Sequence, residues 1–563
     1  MDNTHYTPEE PIAAIATALY PSALGVIRTS GKGCVELAAK VFSRPRALLN
    51  AEGNSIVYGW LVNQESSSQK ERTNEQECAS SPQGGEENAG FSEGEKARKR
   101  IDEVLISVFR APKSYTGEDM VEISCHGGVA VVRGVFALLL ECGFRQAERG
   151  EFTLRAFLNG KADLTRAEAV REIIDSRTAE SSSRACSRLS GDLKREIDSS
   201  KKLITDALAA IEVDIEYPED EHAIAESIDG GALLKLFEAR EKLGALVSSW
   251  QAERVYRDGA KIVLAGKTNA GKSSLFNALL KEERSIVSAN AGTTRDWIES
   301  EVSFAGIPAR LYDTAGIRGK PEKTKGKQTQ KDGEDAIDPV EAAGIKRAKE
   351  LAEDADLIIC LEDASEAVSL KEGAPFPLSE ATDFLTLSRT NTAESAENTA
   401  EPDGETSDHL RPLGTTNAPS SRIPLILAFN KTDKLTQAEL SSLKEQSEQA
   451  RKEGKLAAAK LLFISAKTGK GIGELVSAVK AQLTGGSSSA RAVSPGSERQ
   501  KDAIADSLFR VDHALLTIKE GTPGLDAAIQ DLEDALDSLG EVTGEVTSDD
   551  ILNSIFSNFC VGK

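Results

Sequence analysis

The chain has 563 residues, more than one hydrophobic core normally serves, so several domains are expected. Its 90 acidic against 68 basic side chains give a formal charge of -22, which repels phosphate backbones and excludes a surface that grips nucleic acid alone; a partner would supply the basic face. The seven cysteines (Cys34, Cys78, Cys125, Cys142, Cys186, Cys360 and Cys560) are scattered and form no C-x-x-C pair, so neither a disulfide framework nor a zinc site is signalled.

The opening "MDNTHYTPEE" has no basic region followed by an apolar core, and no stretch reaches the roughly 18 apolar residues of a membrane span, so a cytoplasmic protein without a membrane segment is expected. Residues 1 to 160 mix β-rich runs ("LGVIRTS", "EVLISVF", "MVEISC") with a helix at "VAVVRGVFALLLECG", an α+β pattern. From 161 to 257 the text is helical, with Leu189, Leu193 and Ile197, then Ile204, Leu208 and Ile211, at spacings of three and four. The same period returns in 486 to 563, at Ile504, Leu508, Val511, Leu515 and Ile518 and at Leu525, Ile529, Leu532, Leu536 and Leu539. Two helical blocks flanking a different kind of sequence predict a discontinuous helical-bundle domain with another domain, 258 to 485, inserted into it.

That inserted stretch alternates helices with apolar runs of buried-strand length ("KIVLA", "ARLY", "DLIICL", "IPLILAFN", "LLFISA"), which predicts an α/β domain with a parallel sheet and helices on both faces. Four polar stretches, at about 64 to 100, 319 to 338, 385 to 420 and 485 to 500, contain almost no aliphatic residues and are expected to be disordered surface loops.

"KIVLAGKTNAGKSSLFNALL" sets G-x-x-x-x-G-K-S after a buried strand and before an amphipathic helix, the context a P-loop requires. Asn269, Ala270, Gly271, Lys272, Ser273 and Ser274 would cradle phosphates, Lys272 reaching the β- and γ-phosphates and the Ser273 hydroxyl holding Mg²⁺. "LYDTAG" follows a strand, so Asp313 can hold the Mg²⁺ shell through water and Thr314, Ala315 and Gly316 can meet the γ-phosphate. In "AFNKTD", Asp433 can accept from both guanine donors, which adenine lacks, while Asn430 and Lys431 buttress the pocket and Ser465, Ala466 and Lys467 complete it. The order predicts a Ras-like G domain that takes GTP.

Where a Ras-like protein carries a water-orienting Gln, this chain has Ile317, which forms no hydrogen bond. Either a monovalent cation held by the Asn269 side-chain oxygen and the loop "SANAGTTRD" stands in, or Asn269 only caps the P-loop.

The stretches "LGVIRTSG", "SYTGEDMVEISCHGG", "GEFTLRAFLNGKADLTRAEA", "AGTTRD", "DTAGIR", "EAAGIKRA" and the closing "CVGK" resemble the MnmE (TrmE) family, GTPases that modify the wobble uridine of certain tRNAs. The resemblance implies that Asn269, Ser288, Asn290 and Thr293 bind potassium, that Ser273 and Thr294 bind magnesium, and that Glu341 orients the attacking water. As a first-turn helix acid, Glu341 would be favoured by the helix dipole alone. It implies an N-terminal domain, 1 to 160, that dimerises and binds 5-formyl- or 5,10-methylene-tetrahydrofolate through Arg28, Glu122 and Lys161. It implies a homodimer, and a flavin-dependent partner of the MnmG type, carrying FAD, in a heterotetramer that acts on tRNA.

The tail "TSDDILNSIFSNFCVGK" begins with a capping box from Thr547 to Asp550 and runs a short helix whose Ile551, Leu552, Ile555, Phe556 and Phe559 form one apolar face. Docking that face would leave Cys560 and Lys563 at the one-carbon site, Cys560 being either a catalytic thiol or a small buried cysteine at a helix end. Two rival classes share these motifs: a switch GTPase that transfers no group, and a folate-dependent aminomethyltransferase regulated by its G domain.

Overall fold

The computed structural model describes residues 10–63, 99–216, 231–266, 269–282, 299–313, 354–368, 423–453, 459–486, 493–518 and 522–563. They form two compact units, residues 1–171 with 543–563, and residues 172–542.

The first unit is built on a six-stranded sheet of β1 (Ile12–Ile15), β2 (Leu24–Ser30), β3 (Ser55–Asn63), β4 (Lys99–Phe109), β5 (Met120–His126) and β6 (Arg145–Gln146), in the order β3-β4-β5-β2-β1-β6. Only β1 and β6 run parallel. Strand periodicity divides its residues between two faces. Ile27, Ile106 and Ile123 pack with Val132, Val135 and Leu139 of the helix Val129–Glu141 on one face, whereas Ile12, Ala14 and Met120 pack with Phe152 on the other. Strand β4 starts at Lys99, inside a stretch expected to be loop, because Arg100 pairs in register with Val62 and lays its guanidinium over the Trp60 ring.

The second unit carries the expected open sheet: β7 (Ala260–Gly266), β8 (Glu299–Phe304), β9 (Ile307–Asp313), β10 (Leu357–Asp363), β11 (Leu425–Asn430) and β12 (Ala459–Phe463), in the order β12-β11-β10-β7-β9-β8. Alternate residues of one strand enter two cores: Ile262 and Leu264 join Ile359 and Leu361, while Val263 and Ala265 join Ile358 and Cys360. Both faces are therefore covered. The expectation of a purely parallel sheet needs one correction, since β8 pairs antiparallel with β9. Ala305 and Gly306, both at positive φ, make the two-residue turn that joins them, and such a turn allows only an antiparallel hairpin.

Helices that precede and follow this sheet in the chain share a core of their own. Leu193, Ile197, Ile204 and Ile211 meet Leu236, Leu243, Ile504, Val511, Leu532 and Leu539, as the periodicity predicts, though Leu189 is exposed. The helix Glu498–Ile518 begins inside the last of the stretches expected to be loop, because Gln500 is buried and accepts from Gly496 N–H (2.7 Å). The other expected loops lie almost wholly outside the described residues.

A buried ion cluster ties the chain together where it enters and leaves the sheet. Arg188 donates to Glu253 (2.7 Å) and Glu172 (2.7 Å), and Glu253 also accepts from Arg184 (3.0 Å) and the Ser494 hydroxyl (2.8 Å). Removing one member leaves charge buried without compensation, which costs about 3 kcal/mol or more. Arg188→Leu is expected to lower the urea midpoint of the full chain accordingly, whereas an unchanged midpoint would show the cluster to be energetically idle.

Candidate functional site

In the second unit the candidate site gathers at the carboxyl ends of the parallel strands, where open α/β sheets place ligands. Parallel register sets Gly266 beside Leu361, Asp313 beside Leu264, and Asp363 beside Asn430. At Gly266, φ is +131° and any Cβ would collide with the Leu361 carbonyl, so only glycine lets the P-loop leave β7 there. Asn269 sits in the left-handed region at φ 67°, and the helix Lys272–Glu282 opens directly on Lys272, turning its first N–H groups toward the loop. Lys272 is buried, and its ammonium donates to Gly266 O. Ser273 and Ser274 lie exposed on the helix's first turn.

One buried side chain stitches three loops. Asn430 Nδ2 donates to Ala270 O (2.8 Å) in the P-loop, while its Oδ1 accepts from Ala466 N (3.0 Å). Asp433 is exposed on the 3₁₀ turn Thr432–Lys434, and the buried Ser465 hydroxyl donates to it (2.6 Å). Lys467 is exposed on the same rim. These are the donors and acceptors a guanine nucleotide needs: a fixed carboxylate at one end, and N–H groups with an ammonium at the other.

Lys431, in the left-handed region, donates to Asp363 Oδ2 (2.7 Å), a carboxylate that the motifs had not marked because it merely ends a buried strand. Of the expected site residues, Ser288, Asn290, Thr293, Thr294, Thr314, Ala315, Gly316 and Glu341 lie outside the described residues. Asp313 is placed only as the last residue of β9.

The second candidate site lies in the first unit. Arg28 and Glu122 are direct cross-strand partners, on the face opposite Ile27 and Ile123. Arg28 Nε and Nη2 both contact Glu122 Oε1 at 2.8 Å, and the guanidinium lies 5.5 Å from the Tyr115 ring centroid and 5.8 Å from that of Phe152. Lys161 reaches Pro112 O instead (3.0 Å) and lies along Gly117, so it flanks the loop that carries Tyr115 without bonding Arg28 or Glu122.

The tail docks here. Phe556 and Phe559 are buried with Leu164 and Ala167, and Leu552 and Ile555 pack against them. The helix is Asp549–Phe556, and its N-cap is Ser548, which accepts from Ile551 N, rather than Thr547 as expected. Val561 bridges Arg149, and Arg28 Nη1 contacts Gly562 O at 3.4 Å. Lys563 follows half-buried; burial first, then the Arg28 charge, lowers its ammonium pKa below the ordinary lysine value. Cys560 is exposed, which excludes the buried-cysteine alternative.

Comparison with known proteins fits this geometry. The family profile described as MnmE helical domain matches residues 164–560, and that described as GTP-binding protein TrmE N-terminus matches residues 11–161. The chain is 42% identical to the tRNA modification GTPase MnmE of Treponema denticola over 99% of both chains, and 36% identical to that of Treponema pallidum, again over 99% of both. The MnmE of Borrelia turicatae is 33% identical over 99% of this chain and 98% of its own. The chain belongs to the MnmE family of tRNA modification GTPases. As an MnmE it is a GTP hydrolase. Among solved structures, Aquifex aeolicus Era bound to GDP and aluminium fluoride matches at 22% identity over 47% of this chain and 69% of its own, with a TM-score of 0.24, too low to bear on the fold. No helix among the described residues is long and apolar enough to cross a membrane.

Two outcomes follow for this chain. The Ser465 hydroxyl holds Asp433 below the usual carboxylate range; burial would raise Asp363, but Lys431 and Ser365 outweigh it and lower it too. Contributions from such groups are complete above the unfolded pKa and vanish only as pH falls through the lowered one. The factor by which Asp433→Asn weakens binding of a fluorescent GDP should therefore stay level from pH 8 to about 5; a factor that shrinks as pH falls through about 6 would contradict the assignment, the ligand's own phosphate titration being common to both proteins. Gly562 has φ +97°, and a Cβ there would approach Ile15 O at 2.9 Å. Gly562→Ala should thus speed amide exchange at Val561 and Lys563 by about tenfold or more while leaving the melting temperature nearly unchanged.

Proposed function

We propose that this chain is a potassium-dependent GTPase that, with a flavin-dependent partner, installs an aminomethyl or carboxymethylaminomethyl group at carbon 5 of the wobble uridine of certain tRNAs. A tetrahydrofolate derivative, 5-formyl or 5,10-methylene, supplies the carbon. The observation that carries the reading is the Asn430 amide, which holds the P-loop and the base-reading loops in one arrangement.

In this reading Lys272 and the first N–H groups of Lys272–Glu282 neutralise the β- and γ-phosphates, and Asp433 reads the guanine edge. Ser273 and Thr294 would hold Mg²⁺, with Asp313 behind it. Asn269, Ser288, Asn290 and Thr293 would hold K⁺, which supplies positive charge against the phosphates in place of an arginine finger. The left-handed backbone at Asn269 supports this, because it turns a loop residue with a side-chain oxygen beside the phosphate loop. Glu341 would orient the water that Ile317 cannot.

In the first unit, Arg28, Glu122, Tyr115 and Lys563 form a mixed-charge site beside an aromatic ring, chemistry suited to a pterin's amide edge and to folate carboxylates. Lys161 would bind from the flanking loop, and Cys560 would act as a nearby thiol. The domains would be 1–160, folate-binding and dimerising; 161–257 with 486–563, helical; and 258–485, the G domain. The protein would be a cytoplasmic homodimer joined by an MnmG-type protein that carries FAD and, given the chain's charge of -22, most of the tRNA contact.

GTP turnover by the full chain is expected to be at least about tenfold faster in KCl than in NaCl, and equal rates would reject the potassium site. In cells, Lys272→Ala should remove the modified wobble nucleoside from tRNA. Unchanged nucleoside content would favour a switch protein, or a folate-dependent aminomethyltransferase that does not need its G domain.

A further inference from the structure

The Lys431 side chain is not left to find its own place. Its stem passes the P-loop within ordinary contact of the space above Gly271, where a Cβ would lie 4.0 Å from Cε, and its ammonium ends on Asp363. Asp363 in turn is held at both oxygens: Oδ2 accepts from Lys431 (2.7 Å), while Oδ1 accepts from the Ser365 N–H (3.0 Å) and hydroxyl (2.6 Å). Register explains the arrangement, because Asp363 ends β10 directly beside Asn430, the last residue of β11, and Lys431 follows it in the chain. The side chains of Asn430 and Lys431 thus diverge, one bonding the P-loop and the other bonding the neighbouring strand's carboxylate.

We propose that Asp363 is a positioning residue for guanine-nucleotide binding, acting through Lys431 by pinning its stem as a wall between the P-loop and the base-reading turn. The inference rests on the guanine-nucleotide reading above. Asp363 touches no nucleotide itself. The pair is well placed to be worth more than a surface ion pair, since the Asp363 side chain is 9% exposed and that of Lys431 24%. A pinned stem loses no rotamer freedom when the ligand arrives, so the benefit should show as slower release.

The experiment is stopped-flow release of a fluorescent GDP from the full chain, in the wild type, Asp363→Asn, Lys431→Met and the double variant, with ligand-free melting curves for each. Asp363→Asn is expected to speed release by about tenfold, and to add nothing once Lys431 is Met, because the two act as one unit. Independent, additive effects would overturn the proposal, as would a release rate in Asp363→Asn equal to that of the wild type. Should Asp363→Asn not fold, Ser365→Ala replaces it. That variant removes one of the bonds fixing Oδ1, and it should speed release severalfold in the wild-type background and not in Lys431→Met. The underlying reading fails separately: a wild-type chain that binds no GDP rejects the guanine site itself.

Discussion

A single buried carboxamide holds the nucleotide site together. Asn430 is 2% exposed, and with one donor and one acceptor it spans from Ala270 in the P-loop to Ala466 in the last base-reading loop. These two bonds tie the P-loop directly to the loop at 465–467. Each leaves a polar backbone group in want of a partner if broken, at a cost of about 1–3 kcal/mol. Parallel pairing makes the bridge possible, because β10 and β11 end level with Asp363 beside Asn430, while β7 ends two residues earlier with Gly266 beside Leu361 and leaves room there for the P-loop. Ser465 and Asp363 then bond the Asp433 and Lys431 side chains from behind.

The first unit uses a different device for the same end. Strand alternation sends Ile27 and Ile123 into the core and turns Arg28 and Glu122 outward as a cross-strand pair. A chain end more than five hundred residues away closes over them, since Arg28 reaches Gly562 O across a sequence separation of 534. The apolar face of Asp549–Phe556 provides the anchoring energy, and the residues after it lie beside Arg28. A thiol at Cys560 stays exposed while the lysine beyond it is half-buried against the Arg28 charge.

Local signals were enough for the buried parallel strands of the second unit, the bundle helices and the P-loop, because each follows from periodicity or from glycines within a few residues. The edge strand β8 was missed since "ESEVSF" opens on three polar residues, which leaves only Val302 and Phe304 as an apolar signal, and its turn, Ala305-Gly306, is not among the strongest hairpin pairs. Capping was off by one residue because Thr547 and Ser548 are chemically equivalent caps. Asp363, Tyr115 and the Gly562 carbonyl were invisible for another reason: their roles come from strand register and from a docked tail, which bring together residues far apart in sequence. Arg28, Glu122 and Lys161 came from family likeness alone; Arg28 and Glu122 stand together, with Lys161 at the side.

The most direct test is calorimetric titration of the full chain with GDP and with ADP, in the wild type and in Asn430→Ala. Three loops joined by one amide predict that the wild type binds GDP and not ADP, and that Asn430→Ala loses about a hundredfold or more in GDP affinity. Equal binding of the two nucleotides, or wild-type affinity in Asn430→Ala, would contradict the account.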